Sequence, residues 1–167
     1  MESWNEFFIL VGTGAATLVG LMFIALTFGS RLVTKETVDA AKAFLTPIIN
    51  HFTQTFLISC AALIPSPTSV LPGVVCLLTS SVRLVLLRHA YKNLKRPVHS
   101  EDIDQSDWLQ TLYLPLIIHI SLVITSIGLM NSLPWSMYAL AVILLSLLTL
   151  GIINAWEMLM WMASKLE

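Results

Sequence analysis

The chain has 167 residues, 56% of them hydrophobic and 11% charged, with 9 Lys+Arg against 10 Asp+Glu. Soluble domains carry about 45–50% apolar and about 25% charged residues, so too few ionised groups are present here to coat a soluble fold. This composition argues against a soluble enzyme domain, a disordered tail and a basic nucleic-acid binder, and for an integral membrane protein.

The apolar residues fall into runs at residues 7–28, 44–65, 71–90, 109–130 and 135–160. At about 1.5 Å per residue, a run of about 20 crosses about 30 Å of hydrocarbon. The runs therefore predict an all-α bundle of five transmembrane helices in one transmembrane domain, residues 1–167. The start, Met1-Glu2-Ser3-Trp4-Asn5-Glu6, lacks the positive region of a signal peptide, and Glu2 stands where myristoylation needs Gly.

In the first run Gly12, Ala16 and Gly20 recur every four residues. Small residues at that spacing let helix backbones approach closely in lipid. The stripe is expected to face away from lipid, toward a neighbouring span or a second subunit. The second run is the most polar: Pro47, Asn50, His51, Gln54, Thr55 and Ser59 share one stripe. Lipid offers these groups no partners, so they either bond neighbouring helices or line a hydrated cavity.

The third run carries Arg83 and Arg88 in its second half. Counting back from Tyr91 puts Arg83 about 12 Å inside the helix end. At that depth it pairs with Glu157 of the fifth run, snorkels toward water, or marks an ion or substrate path. Asn154 lies one turn deeper than Glu157. Cys60 and Cys76 flank the turn between the second and third runs at similar depth; a disulfide is geometrically open, and buried free thiols are the expectation.

The run Glu101-Asp102-Ile103-Asp104-Gln105-Ser106-Asp107 fails as a calcium loop. Counted from Asp102, position six is Asp107 rather than Gly and position twelve is Tyr113 rather than Glu. In the fourth run His119 follows Pro115 by one turn, with Ser126 on the same face. The proline frees the carbonyl of Thr111 and His119 becomes a candidate midplane polar group. No Cys/His spacing fits a metal, and no phosphate loop, HExxH or Ser/His/Asp set appears, so neither an enzyme nor a cofactor is expected.

With five crossings, every Lys and Arg other than Arg83 flanks the same face, including the cluster at 92–96 and Lys165. The positive-inside rule makes that face cytoplasmic, with the N-terminus outside and the C-terminus cytoplasmic. Trp4 and Trp135 then fall at outer ends, and Trp108, Trp156 and Trp161 at inner ends.

Two stretches carry a resemblance. Trp4-Asn5-Glu6-Phe7-Phe8 with Gly14-Ala15-Ala16-Thr17-Leu18-Val19-Gly20-Leu21-Met22, and Asn154-Ala155-Trp156-Glu157-Met158-Leu159, are similar to the opening and closing segments of a family of small, poorly characterised bacterial inner-membrane proteins. The resemblance implies a multi-pass protein of the bacterial inner membrane; it implies no reaction or cofactor.

Two functions are expected from these features. One is a homo-oligomeric channel for ions or small solutes, lined by Asn50, His51, Gln54, Thr55 and Ser59. With His51 hydrated, its conduction responds to pH near about 6.5. The other is a non-catalytic subunit that docks on a membrane-protein partner through small-residue faces.

Overall fold

A computed structural model describes residues 4–29, 38–65, 69–94 and 113–164. They form α1 (Asn5–Gly29), α2 (Val38–Leu63), α3 (Val70–Leu94), α4 (Leu114–Met130) and α5 (Trp135–Ser164). Helices suit these runs because each satisfies its own N–H and C=O groups where water is absent. Hydroxyls follow the same logic. Thr17, Thr27 and Thr149 are exposed, and each donates to the carbonyl four residues back at 2.9 Å. Pro47 lies inside α2, which continues through it. Pro115 sits in the first turn of α4, where a missing N–H costs little.

Among the described residues, three helices are long and apolar enough to cross a membrane: Asn5–Gly29, Val70–Arg88 within α3, and Trp135–Ser164. The expected count of five transmembrane helices is corrected to three. Helix α2 has the length, but Thr46, Asn50, His51, Gln54, Thr55 and Ser59 leave it too polar. Helix α4 is apolar, but its described residues number 17, a length of about 25 Å where about 30 Å is needed. The charge sorting that puts the N-terminus outside and the C-terminus in the cytoplasm depends on five crossings and falls with that count. The arginines of α3 do not exclude it as a span.

The chain forms two compact units. The first combines Met1–Pro65 with Leu144–Glu167, and the second is Ser66–Ile143.

In the first unit α1 and α2 run antiparallel. Gly12, early in α1, meets Ser59, late in α2, so closely that an added Cβ would lie 2.9 Å from Ser59 Cβ. Further along, Met22 joins Ile48, Phe52, Met158 and Met162 in a buried apolar cluster. Gly151 of α5 lets the Phe52 ring approach: a Cβ there would fall 2.5 Å from Phe52 Cε1. The buried face of α1 is Phe8, Val11, Gly12, Ala15 and Met22.

In the second unit α3 and α4 are antiparallel neighbours. A Cβ on Gly73 would lie 2.9 Å from Met130 Cγ and 3.1 Å from the Ser126 carbonyl oxygen. At the other end of the pair Arg83 lies within electrostatic reach of His119. Helix α4 stops at Asn131, and the next helix starts four residues later, after Pro134. Large apolar side chains remain exposed along all three candidate spans, among them Leu10, Phe28, Leu78, Val82, Tyr138 and Trp156. Such a surface belongs in lipid.

Candidate functional site

Two polar clusters stand out, one in each unit. The first is the α2 stripe, which three- and four-residue spacing gathers on one helical face. His51, Gln54, Thr55 and Ser59 are buried, and Asn50 is half-buried. Thr55 Oγ1 donates to the His51 carbonyl at 2.9 Å. Ser59 lies against Gly12, and its buried Oγ has no hydrogen-bond partner among the described residues. The residues interleaved with the stripe, Ile48 and Phe52, pack on Met22, Met158 and Met162.

The small-residue stripe of α1 divides. Gly12 is buried, whereas Ala16 and Gly20 are exposed, and a Cβ on Gly20 would meet nothing within 4 Å. The physical reason is helical drift: steps of four residues overshoot a 3.6-residue turn, so Gly20 stands about 80° round from Gly12. The stripe expected to be sheltered is therefore sheltered at one end and open at the other.

The second cluster lies on the α3–α4 face. Cys76, Ser80, Arg83 and Leu87 follow one another at helical spacing on α3. Cys76, Ser80 and Leu87 are buried; Arg83 is half-buried. Arg83 Nε and Ser80 Oγ are buried without hydrogen-bond partners among the described residues. His119, fully buried on α4, places Nδ1 2.6 Å from the Pro115 carbonyl oxygen, where Nδ1–H donates. Ser126 donates to the Val123 carbonyl at 2.6 Å. The sequence reading overlooks Ser80; its position one turn before Arg83 is the signal that finds it.

No Asp or Glu occurs among the described residues of the second unit. Glu157, the expected partner of Arg83, is exposed on α5 in the first unit, with Asn154 half-buried. Cys60 is exposed and Cys76 buried, both as free thiols. An open apolar groove runs between α4 and the start of α5, lined by Ser121, Ile124, Tyr138 and Val142. The acidic run at 101–107, Trp108 and Thr111 lie outside the described residues.

No protein-family model, curated protein or solved structure matches the chain. The likeness of its first and last segments to a bacterial inner-membrane family gains no support there. Helix number, length and apolarity make the chain a multi-spanning, all-helical membrane protein.

Proposed function

We propose that the protein is a non-catalytic interaction subunit of a bacterial inner membrane, associating with another membrane protein through the outward face of α1. One observation carries this reading. Thr13, Ala16, Thr17 and Gly20 leave a smooth, exposed strip on a helix long and apolar enough to cross lipid. Between helices in lipid, close backbone approach supplies van der Waals contact that lipid tails match poorly at such a strip. His51, Gln54, Thr55 and Ser59 of the α2 stripe, by contrast, are buried within their own unit.

The test uses size in mild detergent together with co-purification. The parent is expected to co-purify with a bound membrane protein rather than as an oligomer of its own chain. Gly20→Leu and Ala16→Leu are expected to lose the partner while the fold persists, because a Cβ on Gly20 meets open space and Ala16 is exposed. Association unchanged in both variants defeats the reading.

A homo-oligomeric channel is the second reading, favoured by the buried, partnerless Ser59 hydroxyl at one end of the polar stripe. It requires the stripe to become hydrated on assembly. Flux through reconstituted protein that falls in Gln54→Leu, and loses its pH response in His51→Leu, supports it; parent vesicles that pass no ion or small solute rule it out.

A further inference from the structure

A guanidinium stays charged at any pH a protein tolerates. Arg83 carries one at a half-buried position inside the apolar span Val70–Arg88, on the face shared with α4. The unit's described residues include no carboxylate to neutralise it, and its nearby charged or titratable neighbour, His119, is no counter-anion. Nε is buried without a partner, and one turn earlier so is the Ser80 hydroxyl. A buried donor left unmade costs about 1–3 kcal/mol, more when charged, so two on one face point to a missing acceptor.

Position on the helix indicates where that acceptor comes from. With 100° between successive residues, Arg83 sits between the buried Ser80 and Leu87 on one side and Val82 and Leu86 on the other. Val82 and Leu86 are 60% and 50% exposed, so the open flank of Arg83 borders the lipid-facing surface. Position along the helix agrees: Arg83 lies eight residues before Tyr91, about 12 Å along the axis, toward the end of α3 from which a long side chain extends to the phosphate layer.

We infer that Arg83, with Ser80 beside it, forms an anion site on the α3–α4 face for a phosphate oxyanion, of which the headgroup of an anionic lipid is the source the geometry favours. The planar fork of Arg83 matches two phosphate oxygens, and Ser80 adds a neutral donor. His119, on the facing helix, is held by its bond to Pro115. The inference is independent of association through α1.

The test titrates the purified full chain, in neutral detergent, with dioctanoyl phosphatidate, the matching diacylglycerol and inorganic phosphate, reading the thermal unfolding midpoint. Phosphatidate is expected to raise the midpoint saturably and diacylglycerol to leave it unchanged. Arg83→Gln is expected to weaken the response about tenfold or more, and Ser80→Ala about threefold, with Arg83→Lys between parent and Arg83→Gln. An equal response to inorganic phosphate, lost in the same variants, keeps the site and assigns it to free phosphate. If Arg83→Gln does not fold, Ser80→Ala carries the comparison. Three results overturn the inference: a response to diacylglycerol as large as to phosphatidate, full response in the folded variants, or no response from the parent. In the last case, a response gained on replacing Glu101, Asp102, Asp104 and Asp107 by their amides identifies the chain's own acids as the occupant.

Discussion

Ser132 is the non-glycine residue with positive φ among the described residues, at 55°. It ends α4 through paired bonds: Leu133 N donates to the Gly128 carbonyl at 2.9 Å, and Ser132 N to the Leu129 carbonyl at 3.0 Å. This capping arrangement favours glycine at the left-handed position, because a Cβ there crowds the following carbonyl. Ser132→Gly is therefore expected to stabilise the chain by about 0.5–1 kcal/mol, and Ser132→Val to destabilise it, in denaturant titrations in detergent. No change in either variant contradicts the strain. Other single residues were harder to read from sequence. Depth counting on Arg83 reaches Glu157, because both lie near one end of an apolar run. It does not show that the two residues belong to different units, nor that His119 lies within electrostatic reach of Arg83. For Gly12, Ala16 and Gly20 the spacing is visible in the sequence, but a four-residue step hides the drift that separates Gly12 from Gly20.

At the scale of elements, each apolar run contributes a helix among the described residues, and α1, α3 and α5 are the ones composition identifies as spans. Counting apolar runs overstates crossings because it scores continuity and ignores how many polar groups interrupt it. Helix α2 shows the difference: its stripe was legible, and the same stripe lowers its hydropathy below that of a span. What covers α2 was not legible, since the partner segment of α5 lies at the far end of the sequence. The contact that defines this pairing is Phe52 on Gly151. Gly151→Ala is expected to cost about 1–3 kcal/mol, as overpacking does, because the ring has to shift. Phe52→Leu in the same chain should recover part of that loss, so the two changes are non-additive in a double-mutant cycle. Additive losses would mean that α2 and α5 do not meet there.

At the scale of the whole molecule, each unit holds one thiol, Cys60 in the first and Cys76 in the second. Cys60 is exposed on its helix, whereas Cys76 is inaccessible without local opening. A lipid-soluble thiol reagent is expected to label Cys60 readily and Cys76 only in proportion to the opening of the second unit. Single-cysteine chains, Cys60→Ser and Cys76→Ser, separate the two rates. Equal rates in native protein contradict the packing of α3. Because the reporters sit in different units, the same pair shows whether a phosphate ligand protects the second unit selectively, as the Arg83 site requires.

The first unit is discontinuous along the chain, and that feature sets an order of events during synthesis. Phe52 and Gly151 are about a hundred residues apart, so at roughly 5–20 residues per second the ribosome takes roughly 5–20 s to deliver the second after the first. The second unit is contiguous and complete in sequence while the first still lacks its third helix. For that interval α1, through Gly12 and Met22, is the available cover for the polar and apolar faces of α2. A helix made late closes the unit begun first, so a nascent chain halted at residue 143 carries the whole sequence of the second unit and an unfinished first one.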